Sequence, residues 1–456
     1  MKETVKEFVK NQYSILNYLK FIIPSVIGIL LLMVPFQYEG KTTIVVALLA
    51  SGLTNNLKNI LPLIILLFIG FTTFLTLFNK LAKPKFIEKN EFLKEIAEVN
   101  LFWTVIRFIG FVFAFSVFFK LGPEWIWSAD TGGLVLNDLI LGLFSIFLFA
   151  GLILPFLTDF GMLEFVGVLL TPVMRPLFGL PGRSSVDAVA SWIGDGTIGV
   201  SLTNKQYKEG FYTEREASVI STTFSAVSIT FSLVVLEQVG LVSLFGPYYL
   251  TILVSAVVAA IIVPKLPPLS KKEDRYYDGI KKDTGEDIPD GYSNLEWANE
   301  LALNRAEESF HAKDFFKKGF KTVTDLWFGV LPVIMAFGTL ALILATYTPI
   351  FEWIGIPFIP ILKLLQVPYA VEASQTIMVG FADMFLPSII GSTIPSAMTR
   401  FIVATLSVTQ LVYLSEAGAV ILGSDINITP LDLFIIFIQR TLVTLPVIVL
   451  AAHIIF

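Results

Sequence analysis

The sequence has 456 residues, of which 55% are hydrophobic and 15% charged, with a formal net charge of −5. A mean hydropathy of +0.76 and several apolar runs of 17 or more residues exclude a soluble domain built round one core and point to a polytopic membrane protein. Zero cysteines exclude disulfides, thiol catalysis and cysteine-type metal centres, and two histidines, His311 and His453, leave little scope for imidazole chemistry.

Taken in order, residues 1–20 read as an amphipathic surface helix with four Lys, and 21–36 as the first span. Residues 41–57 are half apolar and suit a surface or partly inserted helix. Spans are then predicted at 60–78, 101–119, 139–157, 217–236, 247–263, 326–347, 401–414 and 431–454, nine in all with the first. Amphipathic pieces fall at 159–180 and 353–365. The only long hydrophilic segment is 265–321, in which 295–316 has the pattern of a soluble amphipathic helix. No cleavable signal is read at the N-terminus.

Two apolar stretches are interrupted. Residues 183–204 carry Gly194-Asp195-Gly196 at their middle, and Gly on either side of an Asp is a poor helix interior. Each arm of about nine residues rises roughly 13 Å, less than half of a ~30 Å hydrocarbon core. The expectation is a re-entrant hairpin, which needs protein or a wet cavity around it. Residues 371–397 form a second such stretch in the other half.

The halves repeat. Asp138-Leu139-x-x-Gly142 matches Asp325-Leu326-x-x-Gly329, and Gly151 falls on Gly338 at the same offset of 187. One inserted residue puts Asp195 on Asp383. The expected parts are 1–137 (surface helix and three scaffold spans), 138–264 (first repeat), 265–321 (cytoplasmic linker) and 322–456 (second repeat). Counting nine spans from a cytoplasmic N-terminus puts the Lys-rich segments 80–100, 204–215 and 265–321 inside. The two repeats then start from opposite faces. The fold class expected is an all-α polytopic membrane protein, with about nine spans plus two re-entrant hairpins in an inverted-topology repeat. Such repeats with broken helices point to secondary transporters.

The run GLPGRSSVDAVASWIGDGTIGVSLTNKQYKEGFYTEREASVISTTFSAVSITF, residues 179–231, resembles bacterial YjiH-type membrane proteins of the Gate, or nucleoside-recognition, group. The resemblance covers nearly the whole chain and extends distantly to concentrative nucleoside transporters and sporulation maturation membrane proteins. It implies a bacterial inner-membrane location. In the nucleoside transporters, paired hairpins hold substrate and coupling ion; that family's nucleoside-binding residues do not map one by one onto this sequence.

The candidate residues follow from charge and polarity in apolar surroundings. Asp195 and Asp383 sit at the two breaks, where a carboxylate binds Na⁺, carries a proton or caps the following arm, and Thr197 stands beside the first. Arg183 and Arg400 flank the hairpins and suit a bidentate clamp on a carboxylate or phosphate. Asp187 shares a helix face with Asp195 or pairs with Arg183. Ser374, Gln375, Thr376 and Ser388 are candidate solute contacts. Arg107 and Arg440 are intramembrane charges, with structural ion pairs to Asp138, Asp159 or Asp325 as the rival reading. No metal-site spacing, nucleophile elbow or phosphate loop occurs, so neither an enzyme nor a cofactor beyond a coupling Na⁺ or H⁺ is expected. The leading expectation is a transporter of a small anionic, zwitterionic or nucleoside-like solute. Its partners are the lipid bilayer and that solute, not nucleic acid, and a homo-oligomer is compatible with the sequence. The alternative is a non-transporting membrane partner that docks others through 265–321.

Overall fold

The computed structural model describes residues 13–32, 34, 36–38, 41–194, 196–224, 227, 229–282, 286, 288–308 and 312–456. Apolar backbone removed from water has to satisfy its polar groups within the segment, which helices do. The described residues are accordingly helical almost throughout. A two-stranded ribbon, Phe36–Tyr38 antiparallel to Lys41–Thr43, is a small exception that lies in the ambiguous stretch after the first span.

Among the described residues seven helical segments are long and apolar enough to cross a bilayer: Ile15–Leu32, Leu61–Ala82, Leu101–Phe119, Glu124–Thr158, Val242–Lys265, Phe315–Tyr347 and Pro430–Ile455. The protein is an all-α polytopic membrane protein, and these helices put it in contact with lipid. Their starts are encoded locally. Asn100 accepts from the Trp103 N–H, and Thr429 with Asp432 forms a capping box ahead of Pro430.

Two of the nine expected spans take other forms. The 217–236 stretch is described as Glu214–Val219, a π-helical turn Ile220–Phe224 and a separate helix Ile229–Gln238. Its hydroxyls explain the weak run: Ser218, Ser221, Thr222 and Thr223 each donate to the carbonyl four residues back, a bond that bends helices. The eighth span is Ala397–Gln410, whose 14 residues rise roughly 21 Å, short of the ~30 Å core. It stops at Leu411, whose φ of +68° no helix continues.

Other boundaries shift. The first helix begins at Ile15 rather than near residue 21, because no breaker separates Leu19 from Phe21. Most of the expected N-terminal surface helix, residues 1–12, lies outside the described residues. Over the expected 295–316 helix the described residues form Asn294–Glu308 and Ala312–Asp325, the second of which runs on into the span that follows; residues 309–311 lie outside the described residues. The first buries Trp297, Ala298, Ala302, Leu303 and Ala306 against Met162–Phe178 and Ile15–Leu32. The hydrophilic segment is therefore docked on its own chain.

The same order of elements occurs twice. A π-helical turn opens a long helix (Val135–Leu139 then Ile140–Thr158; Leu326–Val330 then Leu331–Tyr347). A shorter helical stretch, a pair of half-length helices and an interrupted or short helix follow in each half. The main core joins the halves, packing Val135, Phe144 and Phe147 with Leu331, Met335, Phe401 and Phe437. Small residues allow close helix approach, as expected without a hydrophobic drive between helices in lipid. At Gly110 an added Cβ would stand 2.1 Å from the Pro332 carbonyl oxygen, which is backbone and has nowhere to go. Gly110→Ala is expected to destabilise the protein by about 1–3 kcal/mol. A thermal-unfolding measurement in detergent checks this, and an unchanged midpoint would contradict the packing described.

Candidate functional site

The first interrupted stretch folds back on itself. Its arms are Ser184–Val189 continued by the π-turn Ala190–Gly194, and Gly196–Lys208. The Thr203 hydroxyl donates to Asp187 Oδ2 at 3.0 Å across the two arms. In an uninterrupted helix those residues, 16 apart, would lie roughly 24 Å from each other. Gly199 permits the contact, since a Cβ there would come within 2.6 Å of the Ser191 Cβ. Trp192 Nε1 donates to the Phe224 carbonyl at 2.9 Å, fastening the first arm to the bent π-turn of the next helix.

The open end of this hairpin, its mouth, lies on a charged face. Glu286 accepts from the Gly182 N–H at 2.7 Å and from Arg175 Nε at 2.8 Å, while Arg175 Nη1 reaches Glu216 at 2.9 Å. Asn204 exchanges hydrogen bonds with Asp425, Nδ2 to Oδ2 at 3.3 Å and Asp425 N–H to Oδ1 at 3.0 Å. Lys208 sits between Asp325 at 3.3 Å and Asp425 at 3.4 Å. Asp159 gathers Lys318 at 2.9 Å, Lys205 at 3.8 Å and Arg305 at 3.9 Å.

The second stretch has arms Ala370–Val379 and Leu386–Gly391. The Thr399 hydroxyl donates to the Pro368 carbonyl at 2.7 Å and draws the two ends of the hairpin together. Arg400 Nη1 donates to the Val239 carbonyl at 2.7 Å. Val239 precedes Val242–Lys265, whereas Lys272 beyond its other end binds the Asn427 carbonyl and Asp432. The two mouths thus lie at opposite ends of one membrane-length helix.

Between the first hairpin and the second half lies a cavity of about 690 Å³. Its polar lining comes from Ser201, Asn204 and Lys208 on one face of the second arm, and from Asp325, Asp425 and Asn427 opposite. Trp103 and Arg107 close one side. A second space of about 410 Å³ adjoins it and shares Ser201, Asn204, Lys208 and Asp325.

Of the described residues expected at the site, Arg107 alone lines this cavity. Asp195 lies outside the described residues. Thr197 and Asp187 are buried in the first hairpin. Arg183, 2% exposed, stacks 3.6 Å above the Phe211 ring and reaches Glu164 at only 3.5 Å. Asp383 takes three donors: the N–H groups of Phe385 at 2.8 Å and Leu386 at 3.2 Å, and the Ser415 hydroxyl at 2.7 Å. That is the capping geometry of the second arm. The hydroxyls of Ser374, Thr376 and Ser388 donate to carbonyls three residues back, so towards a solute they can only accept. Gln375 is half-buried on the same arm. Arg400 holds a loop at the far end, where no clamp facing the cavity is formed. Among the described residues Arg107 forms no ion pair; its Nη1 binds the Thr76 hydroxyl and the Ile96 carbonyl instead. The residues missed, Ser201, Asn204 and Lys208, are spaced three and four apart, and that helical stripe was the available signal.

This is the architecture of a polytopic helical membrane protein with a polar cavity among its broken helices. A family model described as Gate, nucleoside recognition, matches residues 140–242. One relative, an uncharacterized protein of Alkalihalophilus pseudofirmus, is 49% identical over 453 residues, 99% of this chain and 98% of its own. The chain belongs to the Gate, or nucleoside-recognition, family of bacterial membrane proteins. No solved structure matches it.

Burial alone would raise the Asp159 carboxyl, but Lys205 and Lys318 beside it, with the Thr158 hydroxyl, hold it below the usual carboxylate range. Its stabilisation is present above the unfolded value near 3.9 and is lost as pH falls through the lower folded one. Asp159→Asn would leave three cations together, and with Lys318 partly exposed the cost is expected at about 2 kcal/mol. Thermal unfolding at pH 7 measures it, and an unchanged midpoint would show that the cluster does not fasten the hydrophilic segment.

Proposed function

We propose that the protein is a secondary active transporter of a small polar solute, working by alternating access with H⁺ or Na⁺ coupling. The observation that carries this reading is the pair of folded-back stretches with mouths at opposite ends of Val242–Lys265, with a polar cavity against the first. In a bilayer these become two re-entrant hairpins of an inverted repeat, and the charged face is the cytoplasmic one by the positive-inside rule. The N-terminus is then cytoplasmic and the membrane is the bacterial inner membrane. The cavity is open towards the cytoplasm in this state, and its size suits a small solute. A lining that offers both charges, amides and the Trp103 ring fits a zwitterionic or nucleoside-like molecule better than a simple anion. The family description, nucleoside recognition, supports the same class.

In this proposal Asp195 and Asp383, with Thr197, handle the coupling ion. Arg183, Asp187, Gln375 and the acceptor hydroxyls of Ser374, Thr376 and Ser388 reach solute only after the hairpins move, and Arg400 holds the outer end. The alternative, a docking protein using 265–321, is disfavoured because helix Asn294–Glu308 already covers its apolar face with this chain.

The test begins with a thermal-shift screen of purified protein against nucleosides, amino acids and dicarboxylates, since a ligand of the folded state raises its midpoint. Liposomes carrying the protein are expected to accumulate the hit against its gradient when an ion gradient is imposed. Asn caps as well as Asp, so Asp195→Asn and Asp383→Asn isolate charge from capping. Both variants are expected to fold and to lose ion-driven accumulation by tenfold or more. Wild-type accumulation by both would overturn the coupling assignment.

A further inference from the structure

Arg440 lies ten residues into the last helix, Pro430–Ile455, and is 1% exposed. Among the described residues no carboxylate pairs with it. Its charge faces main-chain oxygen alone: Nε and Nη2 donate to the Thr409 carbonyl at 3.1 and 2.8 Å, and Nη1 to the carbonyls of Thr222 and Thr223, both at 3.2 Å.

These three carbonyls are not ordinary helix groups. Thr409 is the next-to-last residue of Ala397–Gln410, which stops at Leu411. Thr222 and Thr223 belong to the π-turn Ile220–Phe224, where the expected fifth span is interrupted. The last carbonyls of a helix carry the negative end of its dipole and lack an intrahelical partner. Two broken helices, one from each half, therefore turn their negative ends towards one point. Neighbouring groups fix that geometry. The side-chain amide of Gln410 donates to the Ile377 carbonyl at 3.1 Å and to the Thr441 hydroxyl at 2.9 Å, tying the second hairpin to the last helix beside Arg440.

Carbonyls freed at helix breaks within a membrane are the ligands that alkali cations take in ion-coupled carriers. We propose that the Thr222, Thr223 and Thr409 carbonyls form a monovalent-cation site and that the Arg440 guanidinium is its built-in occupant. A coupling Na⁺ then has no place there, and any ion that drives transport binds elsewhere. This deepens the transporter reading by excluding one coupling site. The test reads stability rather than transport, so the two stand or fall separately.

Arg440→Ala removes the occupant and leaves the carbonyls. The midpoint of thermal unfolding is measured for wild type and variant in NaCl, KCl and choline chloride at equal ionic strength. The variant is expected to be less stable than wild type in choline and to regain about 2 °C or more, saturably, in Na⁺ or K⁺. A coupling Na⁺ bound elsewhere would shift wild type and variant alike, so the variant's gain is expected in excess of any wild-type response. If Arg440→Ala does not accumulate in membranes, Arg440→Gln, which keeps amide donors for Thr409, carries the same comparison. A variant indifferent to the three salts would overturn the proposal, as would an equal alkali-ion response in wild type.

Discussion

The hydrogen bond from Thr203 to Asp187 binds two arms of a chain that is apolar enough to enter lipid yet too broken to cross it. In hydrocarbon no water repairs an interrupted helix, so each break has to be enclosed by protein or a wet cavity. That requirement accounts for much of the surrounding structure. Trp192 covers the Phe224 carbonyl, Ser415 and the N–H groups of Phe385 and Leu386 surround Asp383, and Arg440 takes the carbonyls at two further helix ends. The broken elements support one another, and the long apolar helices form the scaffold around them.

Much of the fold is legible from the chain. Composition gives the membrane class, hydropathy gives the seven long helices, and Gly194-Asp195-Gly196 marks the first fold-back. The two misjudged spans share a cause. Hydropathy sums side chains and does not register that Ser218, Ser221, Thr222 and Thr223 bond back to their own helix, or that Leu411 turns the backbone out of the helical region. The 295–316 stretch has a helical pattern, but whether its apolar face meets solvent or Met162–Phe178 depends on tertiary contact.

The site was less legible. Polar residues in apolar stretches suggest ligands, but most of those described are occupied: Asp383 as a cap, the hydroxyls of Ser374, Thr376 and Ser388 by carbonyls, and Arg400 by Val239. The polar lining of the cavity comes instead largely from Ser201, Asn204 and Lys208, at and beside the Lys-rich segment 204–215. Asn204 and Lys208 matter because Asp325 and Asp425, more than 100 residues away in sequence, arrive opposite them. The local sequence around either pair carries no sign of that meeting.

The central claim is that the two hairpins open on opposite faces of the membrane, and the absence of cysteine makes it directly measurable. Glu209→Cys lies at the first mouth and lines the adjoining space, and Glu372→Cys stands exposed in the first turn of the second hairpin. A membrane-impermeant maleimide is added to intact cells and to inside-out vesicles. The account predicts labelling of Glu372→Cys in cells and of Glu209→Cys in vesicles. Labelling of both from the same side would contradict it.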